Sequence, residues 1–198
     1  LQCKGYGAAA IMGRPETLHI TWMDPQNLQM QIDDGMQMRV FHFGASAPAD
    51  TPASWQGYSS AQWTPRRSSG YRFGADARYL SVTTTHLRAG YLRQNGVPYS
   101  ANALLREDYD LLHVSEQETY LIVTATVTDY KSGTATDRST FEVYSKLDPA
   151  TGQFRDVMLY ATSARDAGKL LLLNGNDLWF YDPAARASVR ISPQERLS

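Results

Sequence analysis

At 198 residues and 22.1 kDa, the chain has room for one ordinary domain with a sizeable core, and is read as a single β-rich domain over 1–198. A hydrophobic share of 42% with 20% charged residues excludes a disordered chain, and a formal net charge of −1 excludes a generic nucleic-acid binder, which needs clustered cations. The longest apolar run, Leu170–Leu173, falls far short of the roughly 20 residues a membrane-crossing helix needs.

A chain that starts at Leu1 rather than Met reads as a processed or truncated product. Cys3 is the single cysteine, so neither an internal disulfide nor a cysteine-rich zinc site is available. Gly5, Gly7 and Gly13 in CKGYGAAAIMG suggest a phosphate loop, but Arg14-Pro15 and a strand follow where Lys-Ser/Thr and a helix are required. The stretch reads instead as an irregular entry to the first strand.

From there period-2 alternation dominates. Leu18, Ile20 and Trp22 alternate with His19 and Thr21; Asp24-Pro25-Gln26-Asn27 makes a turn; Leu28, Met30 and Ile32 alternate with Gln29, Gln31 and Asp33. Asp34-Gly35 signals a hairpin into a strand at 36–43. Residues 44–54 read as a surface loop, 55–63 as a strand and 64–78 as a second loop that holds Arg66-Arg67, the nearest approach to a basic cluster. Further strands are expected at 79–86, 104–114, 117–130, 139–147 and 154–161, with a short helix around 100–105. The stretch LLLLNGNDLWFYDPAARASVRIS, 170–192, is cut by Asn-Gly and Asp-Pro into a three-stranded meander. The pattern is all-β and mainly antiparallel: a curved sheet or an open or closed β-barrel of about ten strands with little helix.

Two segments carry family resemblances. Thr84–Ser100 (TTHLRAGYLRQNGVPYS), with LHITWMDPQNLQMQIDDGMQMRVFHFG before it, resembles a group of uncharacterised secreted proteins of Gram-negative bacteria over about residues 1–115. Val143-Tyr144-Ser145, the Arg165-Asp166-Ala167-Gly168 step, the DLWFYDP hairpin and the VRISP strand resemble the outer-membrane lipoprotein-sorting family over about 115–198. That family is related to the periplasmic lipoprotein carrier, whose β-barrel is unclosed. The resemblances imply a lipocalin-like or carrier-like barrel, a periplasmic or secreted location in the bacterial envelope, and a lipid or lipoprotein acyl chain as partner.

Chemistry is thinly signalled. His19, His42, His86 and His113 lack the spacing of a helical zinc site; convergence of the first three from separate strands is the one route to a metal. No nucleophile elbow is present. Asp33-Asp34 belongs to a turn, and Glu107-Asp108 point to opposite faces of a strand, a poor acid–base pair. No metal, cofactor or catalytic residue is therefore assigned. Methionine and aromatic residues concentrate in the first strands and in the penultimate one, which makes Trp22, Met30, Met38, Trp179 and Tyr181 the candidate lining for an apolar ligand; ordinary core is the competing role. The expected function is non-catalytic binding of an apolar or lipidated ligand in a β-barrel-like cavity, and a closed, side-chain-filled interior would overturn it. The alternatives are an interaction module, homo-oligomeric or otherwise, that uses the terminal VRIS strand as an exposed edge, and a metal-dependent or hydrolytic enzyme.

Overall fold

The computed structural model describes residues 6–12, 17–65, 78–92, 98–115, 118–131, 134–160, 168–174 and 177–191. Its strands are β1 (Thr17–Asp24), β2 (Asn27–Ile32), β3 (Gln37–Phe43), β4 (Tyr58–Pro65), β5 (Arg78–Thr85), β6 (Gly90–Tyr91), β7 (Pro98–Tyr99), β8 (Leu104–Ser115), β9 (Glu118–Lys131), β10 (Thr134–Asp148), β11 (Gln153–Tyr160), β12 (Lys169–Asn174), β13 (Asp177–Asp182) and β14 (Ala187–Ile191). One short helix, α1 (Ala8–Ile11), precedes them.

Nine strands, β1–β5 and β8–β11, close into a barrel, because Thr17 and Leu18 of β1 pair with Arg155 and Phe154 of β11. The all-β, mainly antiparallel architecture expected from alternation is what the chain adopts. Three hairpin connections share one device. In Asp24-Pro25, Asp148-Pro149 and Asp182-Pro183, the aspartate carboxylate accepts a bond from the amide two residues on: Gln26 at 2.8 Å, Ala150 at 3.0 Å and Ala184 at 2.9 Å. Gly152, at φ 70°, supplies the left-handed residue that closes the second of these turns.

Strand direction defines two ends. β1, β3, β4, β8 and β10 run one way and β2, β5, β9 and β11 the other, since every neighbouring pair in the ring is antiparallel except β3–β4. The end where β1, β3, β4, β8 and β10 finish is called the rim, and the other the base. The parallel pairing of β3 with β4 (Phe41 opposite Ser59) forces residues 44–57 to return from rim to base, a crossover of the dozen or so residues such a pair demands. The composition of 44–54 identifies a loop but not its direction, and β4 starts at Tyr58 rather than Trp55.

At the base, CKGYGAAAIMG departs from the irregular entry expected of it. Ala8–Ile11 are helical and, with Met12, at most 2% exposed. Backbone buried inside a barrel must be hydrogen-bonded, and three consecutive alanines favour doing so as a helix. Ala8 N–H donates to Trp55 O, and Ala10 and Ile11 N–H to Gly7 O, each at 2.9 Å. Ala8 and Ala9 pack in one cluster with Leu87, Tyr99, Ala103, Leu105, Ala125 and Val127, while Ile11 and Met12 join Leu18, Leu28, Met30 and Ile32. The segment thus plugs the base. The helix expected at 100–105 is a turn instead (Ala103 N–H to Ser100 O, 3.1 Å): Leu104 already belongs to β8, and Leu105 is a fully buried inward residue.

The meander β12–β14 lies outside the closed ring, attached through Val157–Tyr160 of β11. β14 pairs with β13 alone among the described residues, and the barrel is closed by β11 rather than by this terminal strand. Cys3, Gly5, Gly13, Arg66-Arg67 and the Arg165–Ala167 step lie outside the described residues.

Candidate functional site

The inward face is fixed by alternation: Leu18, Ile20 and Trp22 on β1; Leu28, Met30 and Ile32 on β2; Arg39, Phe41 and Phe43 on β3; Ser59, Ala61 and Trp63 on β4; Leu80, Val82 and Thr84 on β5; Leu105, Glu107, Tyr109 and Leu111 on β8. Along β1, β3, β4 and β8 this face loses burial from base to rim, whereas on β2 and β5 it stays buried throughout.

The middle of the barrel is filled. Met30, Phe41, Val82 and Val123 are fully buried in one core cluster, and a polar network crosses the interior beside them. Arg39 Nη1 donates to Glu107 Oε1 at 2.8 Å and Nη2 to Oε2 at 2.5 Å, with both side chains fully buried. Nη2 also reaches Thr84 Oγ1 (3.3 Å), which meets Ser59 Oγ at 2.8 Å; Tyr109 Oη donates to Glu107 Oε1 at 3.0 Å. The Arg39 guanidinium lies over the Phe41 ring, 5.1 Å from its centroid. Burial disfavours the charged guanidinium, but the Glu107 carboxylate outweighs it and holds the Arg39 pKa above its ordinary value. Burial, reinforced by Glu107, pushes the Tyr109 hydroxyl well up. Every charge here is committed to another, so the network is a cross-barrel tie rather than a poised acid or base. Its sequence signal was available: Arg39 and Glu107 sit at the inward parity of Phe41 and Tyr109, where an apolar residue is the rule.

Above this layer the inward residues emerge. Trp22 is 52% exposed and Trp63 49%, and Phe43 lies between them: ring centroids are 5.1 Å from Phe43 to Trp22 and 6.0 Å from Phe43 to Trp63, at tilts of 37° and 31°. Leu111, on the same inward register of β8, is likewise exposed. The rim is therefore a shallow apolar cup, walled by Trp22, Phe43 and Trp63 with Phe43 in contact with both tryptophans, above Phe41 and Tyr109, themselves 5.4 Å apart. Rings that touch leave no gap between them for a caged cation; they present a continuous strip to a flat or extended apolar group.

The outer wall beside the cup is tied down. Asn27 Nδ2 donates to both Asp24 oxygens (3.0 and 2.8 Å), His42 Nδ1 meets Asn27 Oδ1 at 2.7 Å, and the His42 ring stacks on Tyr58 at 4.4 Å. The Asn27 bond holds the Asp24 carboxyl low, and burial lowers His42 against the opposing pull of Asp24. The histidines do not converge: His19 pairs with Gln31, His86 with Thr85 and His113 with Thr119. Among the described residues, no three metal-ligating side chains come together.

The five candidate lining residues separate. Trp22 stands in the cup wall and Met30 beneath it, fully buried in the core. Met38 is on the outer face of β3, since its neighbour Arg39 points inward, and is 51% exposed. Trp179 and Tyr181 share a face of β13, outside the closed ring. Phe43, Trp63 and Leu111 complete the cup and were not singled out from sequence. Trp63 lay in a strand of mixed polarity, and the inward parity of Phe43 shows only once β3 is aligned with β4.

The TT-x-LR-x-GYLR-x-NGVPYS residues that are described serve the base. Leu87 is fully buried, Ser100 N–H and Oγ donate to the Asp129 carboxylate at 2.7 and 2.6 Å, and a Cβ on Gly90 would lie 2.7 Å from Tyr99 Oη. Comparison with known proteins finds no matching family model, no similar curated protein and no similar solved structure.

Proposed function

We propose that the protein is a non-catalytic binder of an apolar or lipidated ligand, held at the rim of the barrel, and that it works in the bacterial cell envelope. The observation that carries the binding reading is the exposed strip Trp22–Phe43–Trp63 on inward-facing positions. Large apolar side chains on that register are normally covered, and here Trp22 and Trp63 remain about half exposed among the described residues. The envelope location rests on the sequence resemblances alone. The middle of the barrel is packed by Met30, Phe41, Val82 and the Arg39–Glu107 tie, which leaves no room there for the enclosed ligand expected from the sequence; the ligand proposed is instead gripped by a ring or a chain end at the cup.

A fluorescent fatty-acid analogue tests this. Saturable binding to the purified chain is expected, weakened about tenfold by Trp63→Ala, roughly the 1.4 kcal/mol that loss of one ring contact entails. Met38→Ala, on the outer face, leaves it unchanged. Binding that never saturates, or that is as tight after Trp63→Ala, overturns the reading.

A further inference from the structure

The cup accounts for apolar side chains on the inward register, yet two more stand at the same end outside it. The β1–β2 ladder shifts register between Trp22 and Asp24, leaving Met23 as an inserted residue. The β8–β9 ladder shifts between His113 and Ser115, leaving Val114 inserted. Each is thus a bulge next to a hairpin tip at the rim, and each is more than half exposed, 55% for Met23 and 58% for Val114. A bulge lifts its residue out of the alternation and re-aims it, so neither side chain belongs to the wall of the cup.

Their positions around the ring matter more than their exposure. Passing from β1 through β2, β3, β4 and β5 to β8 takes five steps, and returning through β9, β10 and β11 takes four, so Met23 and Val114 stand on opposite sides of the mouth. Trp63, on β4, stands between them. Three apolar footings spread around a circumference define a plane across the mouth, not a patch on one side. The described charges at this end are mixed: Asp24, Glu118 and Asp148 against Arg78 and Lys146, with Lys146 paired to Glu118 at 2.7 Å. A flat, deformable, apolar surface of no fixed charge fits this arrangement, and Trp and Met are suited to a water–lipid boundary.

We propose that the rim docks on a lipid bilayer, with Met23, Trp63 and Val114 inserting into its interfacial region and the cup facing the lipid. The contact is hydrophobic rather than electrostatic. It does not depend on the cup binding a ligand, because Met23 and Val114 lie outside the cup.

The test is co-flotation of the full chain with phosphatidylcholine vesicles, at low salt and at about 0.5 M NaCl, where exposed charges are screened beyond a few ångströms. Association is expected in both, with a blue shift of tryptophan emission. The double variant M23S/V114S is expected to lower the partition coefficient at least about tenfold, with circular dichroism and binding of the fatty-acid analogue unchanged. Absence of wild-type association with these vesicles overturns the proposal. So does association that requires anionic lipid and vanishes in salt, or a double variant that partitions like wild type. A concentration-dependent dimer abolished by M23S/V114S, without vesicle binding, would mean that the rim meets a second copy and would equally overturn it. Binding of the analogue reads the cup, and partition of M23S/V114S, which leaves the cup intact, reads the docking, which separates failure of one reading from failure of the other.

Discussion

The two ends of the barrel are built from the same alternating strands and finish in opposite ways. At the base, inward positions are small or slender (Ala125, Val127, Leu105), and Ala8 and Ala9 fit among them with nothing left exposed. At the rim, inward positions are Trp22, Phe43 and Trp63; the Phe43 ring touches both tryptophans, which stay about half in water. Size decides the difference. Residues that leave room admit a segment of the chain's own backbone, and large rings packed side by side leave less room between them for one. Among the described residues the base is filled by the chain's own helix, and on the proposed reading the rim is the end that makes contact.

If the ends divide stability from contact in this way, the layer between them should be structural. Arg39→Met leaves Glu107 buried without its cation and is expected to cost about 3–5 kcal/mol, the largest single-residue effect outside the plug. The double variant R39M/E107L removes both charges and should recover most of that loss, since a buried ion pair replaced by apolar groups of similar volume is often neutral. Chemical denaturation of the three proteins checks this. A double variant as unstable as the single one would mean that the tie contributes through geometry, by holding β3 across the ring to β8, and not through charge compensation.

Matched truncations at the two ends separate stability from contact. Ile11→Ala, in the plug, is expected to cost about 2–4 kcal/mol, as the deletion of a fully buried aliphatic side chain does. Trp63→Ala, in the rim, removes far more atoms but from a half-wet site, and is expected to cost under about 1 kcal/mol while weakening ligand binding. Equal costs in thermal unfolding would abolish the distinction between a stability end and a contact end.

Strands were the most legible feature, because alternation and Asp-Pro or Gly turns are local signals that carry their own register. The inward register of Trp22 and Met30 could be read in this way from Leu18–Trp22 and Leu28–Ile32. What pairs with what beyond a hairpin is not local. The β3–β4 parallel step, the closure of β1 on β11 and the exclusion of Trp179 and Tyr181 from the ring depend on contacts between residues far apart in sequence. The plug was missed for a related reason: three alanines carry no amphipathic stripe, and only a barrel around them makes them core. Arg39 and Glu107 were hidden by the reverse habit, the reading of a charge in a strand as a solvated face, although their parity with Phe41 and Tyr109 marks them as inward.

The smallest expected effect lies at the base and is one of pH. Burial pushes the Asp129 carboxyl up, but the bonds it accepts from the Ser100 hydroxyl and amide and from the Tyr130 amide outweigh burial and hold it below its ordinary 3.8. A carboxyl depressed by folding stabilises the fold above its unfolded value, and that contribution disappears as pH falls through the folded one. Asp129→Asn keeps the shape but cannot accept with a charge, so it should cost on the order of 1 kcal/mol at neutral pH. The gap between variant and wild type should close as pH falls below 3.8. Equilibrium unfolding at a series of pH values measures that gap. A gap that persists unchanged into acid would assign the cap at Ser100 to shape alone. The base would then be held by packing throughout, and its difference from the rim would reduce to the sizes of the side chains that meet there.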